Sequence, residues 1–350
     1  MSRVQPYELA LDPPLRTARE TMQTRRGLLF RVEEGPGGIG DAAPLPPFTE
    51  SDEESRAALE RAADAYDHRG WPAALKVVSD QRDGRLEYPA ARHAVSLAML
   101  DWRGRTQAEP LFEQLGGTAG APVPVNATVG DASPSETAQS VAEARNMGFQ
   151  AVKVKVGRGP VDRDLERLRA VRERVGSTVS VRVDANGAWS PETATTFLRN
   201  AADLDLAAVE QPLPVAETLA HADLRGLGTP IAVDESLAEF PVQELLAANV
   251  ADWYVLKPMA LGGVDVAAGA GRRIARQGGT PICTSIFESV VGRTAAVHLA
   301  AALGVTEAAG LATADRLVTD LAEDPAPIED GVVIPPSGPG LGIGEVGIDG

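Results

Sequence analysis

The sequence predicts an α/β protein, a closed parallel barrel of strand–helix units with a smaller α+β region ahead of it. Three observations carry this. From about Val123 onward, short β-rich runs alternate with amphipathic helical segments roughly eight times, the signature of a parallel sheet with crossover helices. Several of those runs end in a charged residue. Before Val123 the alternation is absent.

Taken in order, residues 1–120 read as an α+β unit. "QTRRGLLFRVEEGPGGIGDAAPLPP" gives a strand, a Gly-rich turn and a Pro-rich loop, while "SDEESRAALERAADAYDHRG" and "ARHAVSLAMLDWRG" have helical periodicity. Gly35–Gly40 and Gly342–Gly347 match G-x-G-x-x-G, but no helix pattern follows either, as dinucleotide binding requires. Both are read as turns. The barrel runs, residues 121–320, are "VPVNATV", "AVKVKVG", "VSVRVDAN", "LAAVEQP", "PIAVDES", "WYVLKPM", "PICTSIF" and, weakly, "GLAT". Between them, "VDRDLERLRAVRERVG" is amphipathic with a Gly stop, and "SPETATTFLRNAADL" opens with Ser190 as N-cap and Pro191 at the first helical position. Eight units in about 200 residues suit a (β/α)8 barrel; a doubly wound open sheet is the alternative. Residues 321–350 read as a hairpin-like tail that packs back on the first region.

Composition narrows the function classes. The net charge is −16 and the pI about 4.8. Nucleic acid is not expected as a partner, since phosphate binding needs a basic face, and neither is an anionic membrane. No apolar run is long enough to span a bilayer, and "MSRVQPYELALDPP" has no apolar core of a signal peptide. One cysteine, Cys283, excludes an internal disulfide and fits a reducing cytoplasm. Only four of the 33 basic residues are lysine: Lys76, Lys153, Lys155 and Lys257. A salt-rich, halophilic cytoplasm or a GC-rich genome would each produce that bias. In a chain that avoids lysine, each one retained invites a reason.

Active sites of parallel barrels lie at the C-terminal strand ends. Here the third run ends in Asp184, the fourth in Glu210, the fifth in Asp234 and the sixth in Lys257, while the second carries Lys153 and Lys155. Three carboxylates at one height would repel unless a divalent cation joined them. An all-oxygen set points to Mg²⁺, with Mn²⁺ as a substitute; no His or Cys spacing suits zinc. A lone Asp after a strand is more often a helix cap, so the argument rests on three in register. Lys153 and Lys155 share one face of their strand because side chains alternate. If both point into the barrel mouth, each disfavours the other's charge, and together with a nearby divalent cation this lowers lysine's pKa from about 10.4 toward neutrality. A neutral amine is a general base. The chemistry expected is abstraction of a proton α to a carboxylate, with Lys257 facing the base across the barrel.

At these residues the chain resembles the enolase superfamily. The motifs are K-x-K in "AVKVKVG", "VRVDANGAW", "VEQPL", "AVDES", the lysine of "YVLKPM" and "TSIFESVVGRTAAVHLAAALG" followed by "GLATADRL". K-x-K with a lysine on the sixth strand is similar to the muconate lactonizing subgroup, and within it most like o-succinylbenzoate synthase. The resemblance implies a modified (β/α)7β TIM-type barrel with an N-terminal capping domain. It implies that Asp184, Glu210 and Asp234 bind Mg²⁺, that Lys155 is the base, that Lys257 stabilises the enediolate as a cation, and that Lys153 tunes Lys155. Arg182 and Asn186 would border the metal and Ser285 would touch the substrate. Segments 13–27 and 44–51 would be loops closing over a small-molecule carboxylate. Departures from the pattern are Gly187 after D-A-N, where some relatives have Arg, and Asp41 in "GIGD", where relatives often have Glu. The implied reaction is dehydration of a cyclohexadiene carboxylate to o-succinylbenzoate. The alternatives are an N-succinylamino acid racemase, a dipeptide epimerase, a muconate-type cycloisomerase, or a non-catalytic metal-binding relative. A homo-oligomer is left open.

Overall fold

A computed structural model describes residues 1–16, 21–82, 84–118 and 120–347. The first strands, β1 (Ser2–Arg16), β2 (Thr21–Val32) and β3 (Gly38–Ala42), form an antiparallel sheet in that order. Segment 13–27, expected as a loop, is therefore strand at residues 13–16 and 21–27; residues 17–20 lie outside those described. The first Gly-rich motif is a turn, with Gly35 and Gly37 at φ +64° and +74°, leading into β3 rather than a helix.

The helix Asp52–Arg69 begins at a capping box in which Ser51 and Glu54 satisfy each other's backbone N–H. The helix Pro89–Gln107 lies against β3. Its first turn is capped from a distance: Glu50 accepts from the N–H groups of Ala90 (3.0 Å) and Ala91 (2.8 Å). Small residues make the approach close. A Cβ on Gly40 would stand 1.9 Å from the carbonyl oxygen of Ala94.

Seven parallel strands follow: β4 (Asn126–Val129), β5 (Ala151–Lys155), β6 (Ser180–Asp184), β7 (Leu206–Glu210), β8 (Ile231–Val233), β9 (Trp253–Leu256) and β10 (Thr280–Cys283). They pair strictly in sequence order. The weak eighth run closes the ring through parallel bridges, Thr284 with Gly310 and Val125 with Ala309. Hydrogen bonds from Asn126 N to Ala309 O (3.0 Å) and from Gly310 N to Cys283 O (2.9 Å) complete it. The sheet is thus an α/β barrel and the open-sheet alternative falls.

Strand alternation divides the barrel wall in two. Val152, Val154, Val181, Val183 and Val209 point outward into the main core beneath the helices. Ala208, Ala232, Trp253, Val255 and Ile282 fill the interior as a separate small cluster. Lys153, Lys155, Arg182, Asp184 and Glu210 follow the inward parity of those residues. The helix Val290–Leu303, with Ser289 as its N-cap, is buried almost all round. The tail returns to the first unit, where Arg31 donates to Val346 O (2.7 Å), and Leu317, just before the tail, bridges Leu11. No described helix is long and apolar enough to cross a membrane.

Gly40→Ala is expected to lower stability by about 3 kcal/mol, because the sheet and helix must separate to admit a methyl group. Urea unfolding of the purified variant measures it; a loss under about 0.5 kcal/mol would show the contact to be slack.

Candidate active site

The charged strand ends meet at the C-terminal mouth of the barrel. Register puts them at one height: Lys155 is the cross-strand partner of Asp184, and Asp184 of Glu210. Asp234 and Lys257 each lie one residue beyond the end of β8 and β9.

Every ammonium has a carboxylate. Lys155 Nζ donates to Asp184 Oδ2 (2.6 Å) and to Asn186 Oδ1 (2.8 Å). Lys153 Nζ lies 2.8 Å from Glu210 Oε1 and 3.2 Å from Asp184 Oδ2. Lys257 Nζ is 2.6 Å from the Asp234 carboxylate and bonds to Oδ2. Asp184, Glu210 and Asp234 are buried. The backbone is fixed from outside the barrel: Arg167, fully buried, donates to the carbonyl of Lys155 (2.9 Å).

With the protein's own groups alone, pairing does not depress the Lys153 pKa. Burial opposes its charge, but the attraction of Glu210, Asp184 and Asp234 outweighs this and the pKa is raised. Like-charge repulsion between neighbouring lysines is answered by the acids opposite. Burial likewise works against Asp184, yet Lys155 and Lys153 hold its carboxyl well below the usual range. Burial pushes Glu210 up to about 7 despite Lys153, with Asp184 and Asp234 adding to the rise. Burial raises Asp234 too, against the pull of Lys257.

The remaining residues divide. Asn186, at φ +46°, bridges Lys155 to Glu235: its Nδ2 donates to Glu235 Oε1 (2.9 Å). Arg182 lies one layer deeper, opposite Lys153; its contacts run to Ala308 O (2.7 Å) and the Trp253 ring (5.3 Å). Ser285 Oγ shares a 2.7 Å hydrogen bond with Thr313 Oγ1 on the segment that closes the barrel. From segment 44–51, Phe48 places its ring 3.7 Å from Lys257 Nζ, a cation–π contact.

Sequence reasoning passed over Glu235, Gln211 and Phe48. Gln211, next after Glu210 and at φ +39°, accepts from Asp234 N (2.9 Å) and so fixes the acid of the adjacent strand. Glu235 and Gln211 stood beside acids already singled out, in "VDES" and "VEQP". Phe48 lay within the expected closing segment 44–51, but its contact with Lys257 left no signal, since that partner is remote in sequence.

Among the described residues no three acidic, His or Cys side chains cluster at ligating distance, because ammonium groups stand between the acids. The donor set nevertheless fits a hard cation. It is all oxygen, and Glu235 Oε2, beside Asp234, is buried without a hydrogen-bond partner among the described residues.

In metal-free buffer, Lys153→Met is expected to cost about 3 kcal/mol, since it leaves Glu210 and Asp184 buried without their shared cation. Lys155→Met should cost less, because that side chain is 33% exposed against 16% for Lys153. Unfolding in chelator decides the order; the reverse ranking contradicts the charge balance described.

The comparisons with known proteins agree with this geometry. The family model described as enolase C-terminal domain-like matches residues 136–344. The L-Ala-D/L-Glu epimerase of Bacillus subtilis is 30% identical over 351 residues, covering 95% of this chain and 93% of that protein. The o-succinylbenzoate synthase of Thermobifida fusca is 42% identical over 209 residues, covering 58% of this chain and 63% of that one. The solved dipeptide epimerase of Enterococcus faecalis V583, complexed with Mg and the dipeptide L-Leu-L-Tyr, superimposes with a TM-score of 0.87 at 26% identity, covering 98% of this chain and 99% of that one. With a family match over most of the barrel and a full-length relative, this chain belongs to the enolase superfamily.

Proposed function

We propose that the chain is an o-succinylbenzoate synthase, dehydrating 2-succinyl-6-hydroxy-2,4-cyclohexadiene-1-carboxylate in menaquinone biosynthesis. The observation that carries the underlying chemistry is the pair of lysines on opposite sides of one mouth, Lys155 and Lys257, each seated on its own carboxylate at 2.6 Å. Asp184, Glu210 and Asp234 are the residues that would hold Mg²⁺. When bound, the ion supplies positive charge for the substrate carboxylate and for the enediolate developing there.

The chain's own groups do the rest. Lys155 takes the proton α to the carboxylate. Its hydrogen bond to Asp184 would be released if that carboxylate held the metal ion instead. Lys257, held against Asp234 and the Phe48 ring, faces the developing negative charge. The proton on Lys155 can then leave with the departing hydroxyl as water, which restores the free amine and balances the step. Asn186 orients Lys155 through the bond to its own Oδ1.

Two observations support the lyase over dipeptide epimerization. The 42% identity is to a synthase. Family epimerases that hold a dipeptide amine usually carry D-x-D on the eighth strand; here the equivalent segment reads Thr313-Ala314-Asp315, and the Thr313 hydroxyl is engaged by Ser285. The second reading, a racemase or epimerase on the same lysines, is favoured by the full-length match to an epimerase. It needs only that the proton return to carbon on the other face, with Lys257 as donor.

Turnover of the cyclohexadiene substrate with Mg²⁺ is the deciding assay. The wild type should dehydrate it, and Lys155→Ala should lose at least about 1,000-fold while staying folded. If no dehydration occurs but the wild type exchanges the α-proton of N-succinyl amino acids or dipeptides in heavy water, the function moves to the isomerase. Undiminished activity in Lys155→Ala would remove the assigned base.

Metal uptake gives a second test. A protonated Glu210 cannot ligate, so Mg²⁺ affinity should rise as pH passes upward through about 7, with proton release on binding. Calorimetry in two buffers of different ionisation heat measures both. An affinity flat from about pH 6 to about pH 8 would exclude Glu210 as a titrating ligand.

A further inference from the structure

One of the buried arginines lies in the capping sheet rather than the barrel. Arg25, on β2, is 3% exposed, and among the described residues it forms no ion pair. Its guanidinium is spent on carbonyl oxygens. Nη1 donates to Pro44 (2.7 Å) and, weakly, to Arg26 (3.4 Å), Nη2 donates to Ala43, and Nε donates to Phe287 (3.1 Å). A planar fork with five donors suits such a task; a point ammonium does not.

The segments it grips are informative. Ala43 and Pro44 open the loop that carries Phe48 over Lys257. Phe287 lies in the loop after β10, two residues from Ser285. Phe287 has φ +63°, a conformation that crowds the Cβ of any residue but glycine. Something must hold it there. Its carbonyl is held by Arg25. The residues on either side are held too: Glu288 folds back onto Ile286 N (2.6 Å), and Ser289 is docked on Asp41 of β3 through its N–H (3.1 Å) and its hydroxyl (2.7 Å). Asp41 is steadied by the Tyr7 hydroxyl (2.7 Å).

We propose that Arg25 is a positioning residue for the active site: by gripping the carbonyls of Ala43, Pro44 and Phe287 at once, it sets the spacing between the Phe48 loop and the Ser285–Phe287 loop, the two walls between which the substrate's end distal to the metal must fit. Arg25 touches none of the lysines or acids that do the chemistry. Its role is to fix the width of the mouth. The geometry is independent of whether the reaction is the dehydration or the isomerization, and the inference does not rest on that choice.

Amide hydrogen exchange with mass readout, on the full chain with Mg²⁺ present, tests it. In Arg25→Met, peptides covering residues 43–50 and 284–290 should both exchange about tenfold faster, while the peptide covering 180–184 is unchanged. Mg²⁺ affinity should match wild type. With whichever substrate the wild type turns over, KM should rise about tenfold while kcat holds within about threefold. Should Arg25→Met not fold, Arg25→Lys is read in its place; it keeps the charge but cannot fork, and is expected to loosen the same two segments. Unchanged exchange at 284–290, or equal acceleration of every peptide including 180–184, overturns the proposal. If the wild type turns over none of the compounds above, the exchange result still decides the role of Arg25, and only the reaction assignment falls.

Discussion

The structure depends on a balance of buried charge inside a closed ring of strands. Three ammonium groups and three carboxylates share the mouth, and each lysine lies within 3 Å of an acid. Removing Lys153 leaves Glu210, and removing Lys257 leaves Asp234, without its nearest cation in a buried setting, which is far more costly than losing the attraction itself. The balance requires that all six groups arrive at one height. Parallel pairing in strict sequence order does this, because successive strands deliver equivalent residues to equivalent levels.

The same alternation that gathers the charges builds the support beneath them. Valine on the outer parity of β5 and β6 packs into a large apolar core, so the inner parity is free to be polar without weakening the wall. A strand that reads K-V-K-V is therefore one half of two environments. Arg167 and Gln211 show how the wall is tightened. Each is fully buried and polar, and each bonds the backbone of a residue adjoining or bearing a site group. Their hydrogen bonds fix the main chain beneath the site groups.

How much of this was legible follows from distance along the chain. The barrel, the three acids and the three lysines were readable, because each motif is local and repeats at the period of one strand–helix unit. The eighth strand read weakly and is short: it closes the ring through isolated bridges at Ala309 and Gly310. What the sequence concealed is long-range. Phe48 meets Lys257, and Arg25 meets Phe287, across separations that no periodicity records. The acids around Lys153 were hidden for the same reason. Its neighbour in sequence is another lysine, and only the fold shows that its neighbours in space are acids.

That distinction bears on how one site can serve a lyase and an isomerase. On the reading proposed, the strand ends supply the base, the cation opposite and the anion-stabilising centre that proton abstraction needs. What happens next depends on the substrate: whether a hydroxyl stands where the carbanion can expel it, or whether the only recourse is reprotonation. Nothing in the six charged groups chooses between these. On the reading proposed, the choice falls to groups that fix the far end of the substrate, and the loops after β3 and β10, tied together by a cation on β2, are the proposed carriers. In such a fold the chemistry is set by register within one sheet, and the substrate by contacts between segments remote in sequence. The first is therefore the more readable of the two from sequence, and the second has to be read from the packing of the cap against the barrel.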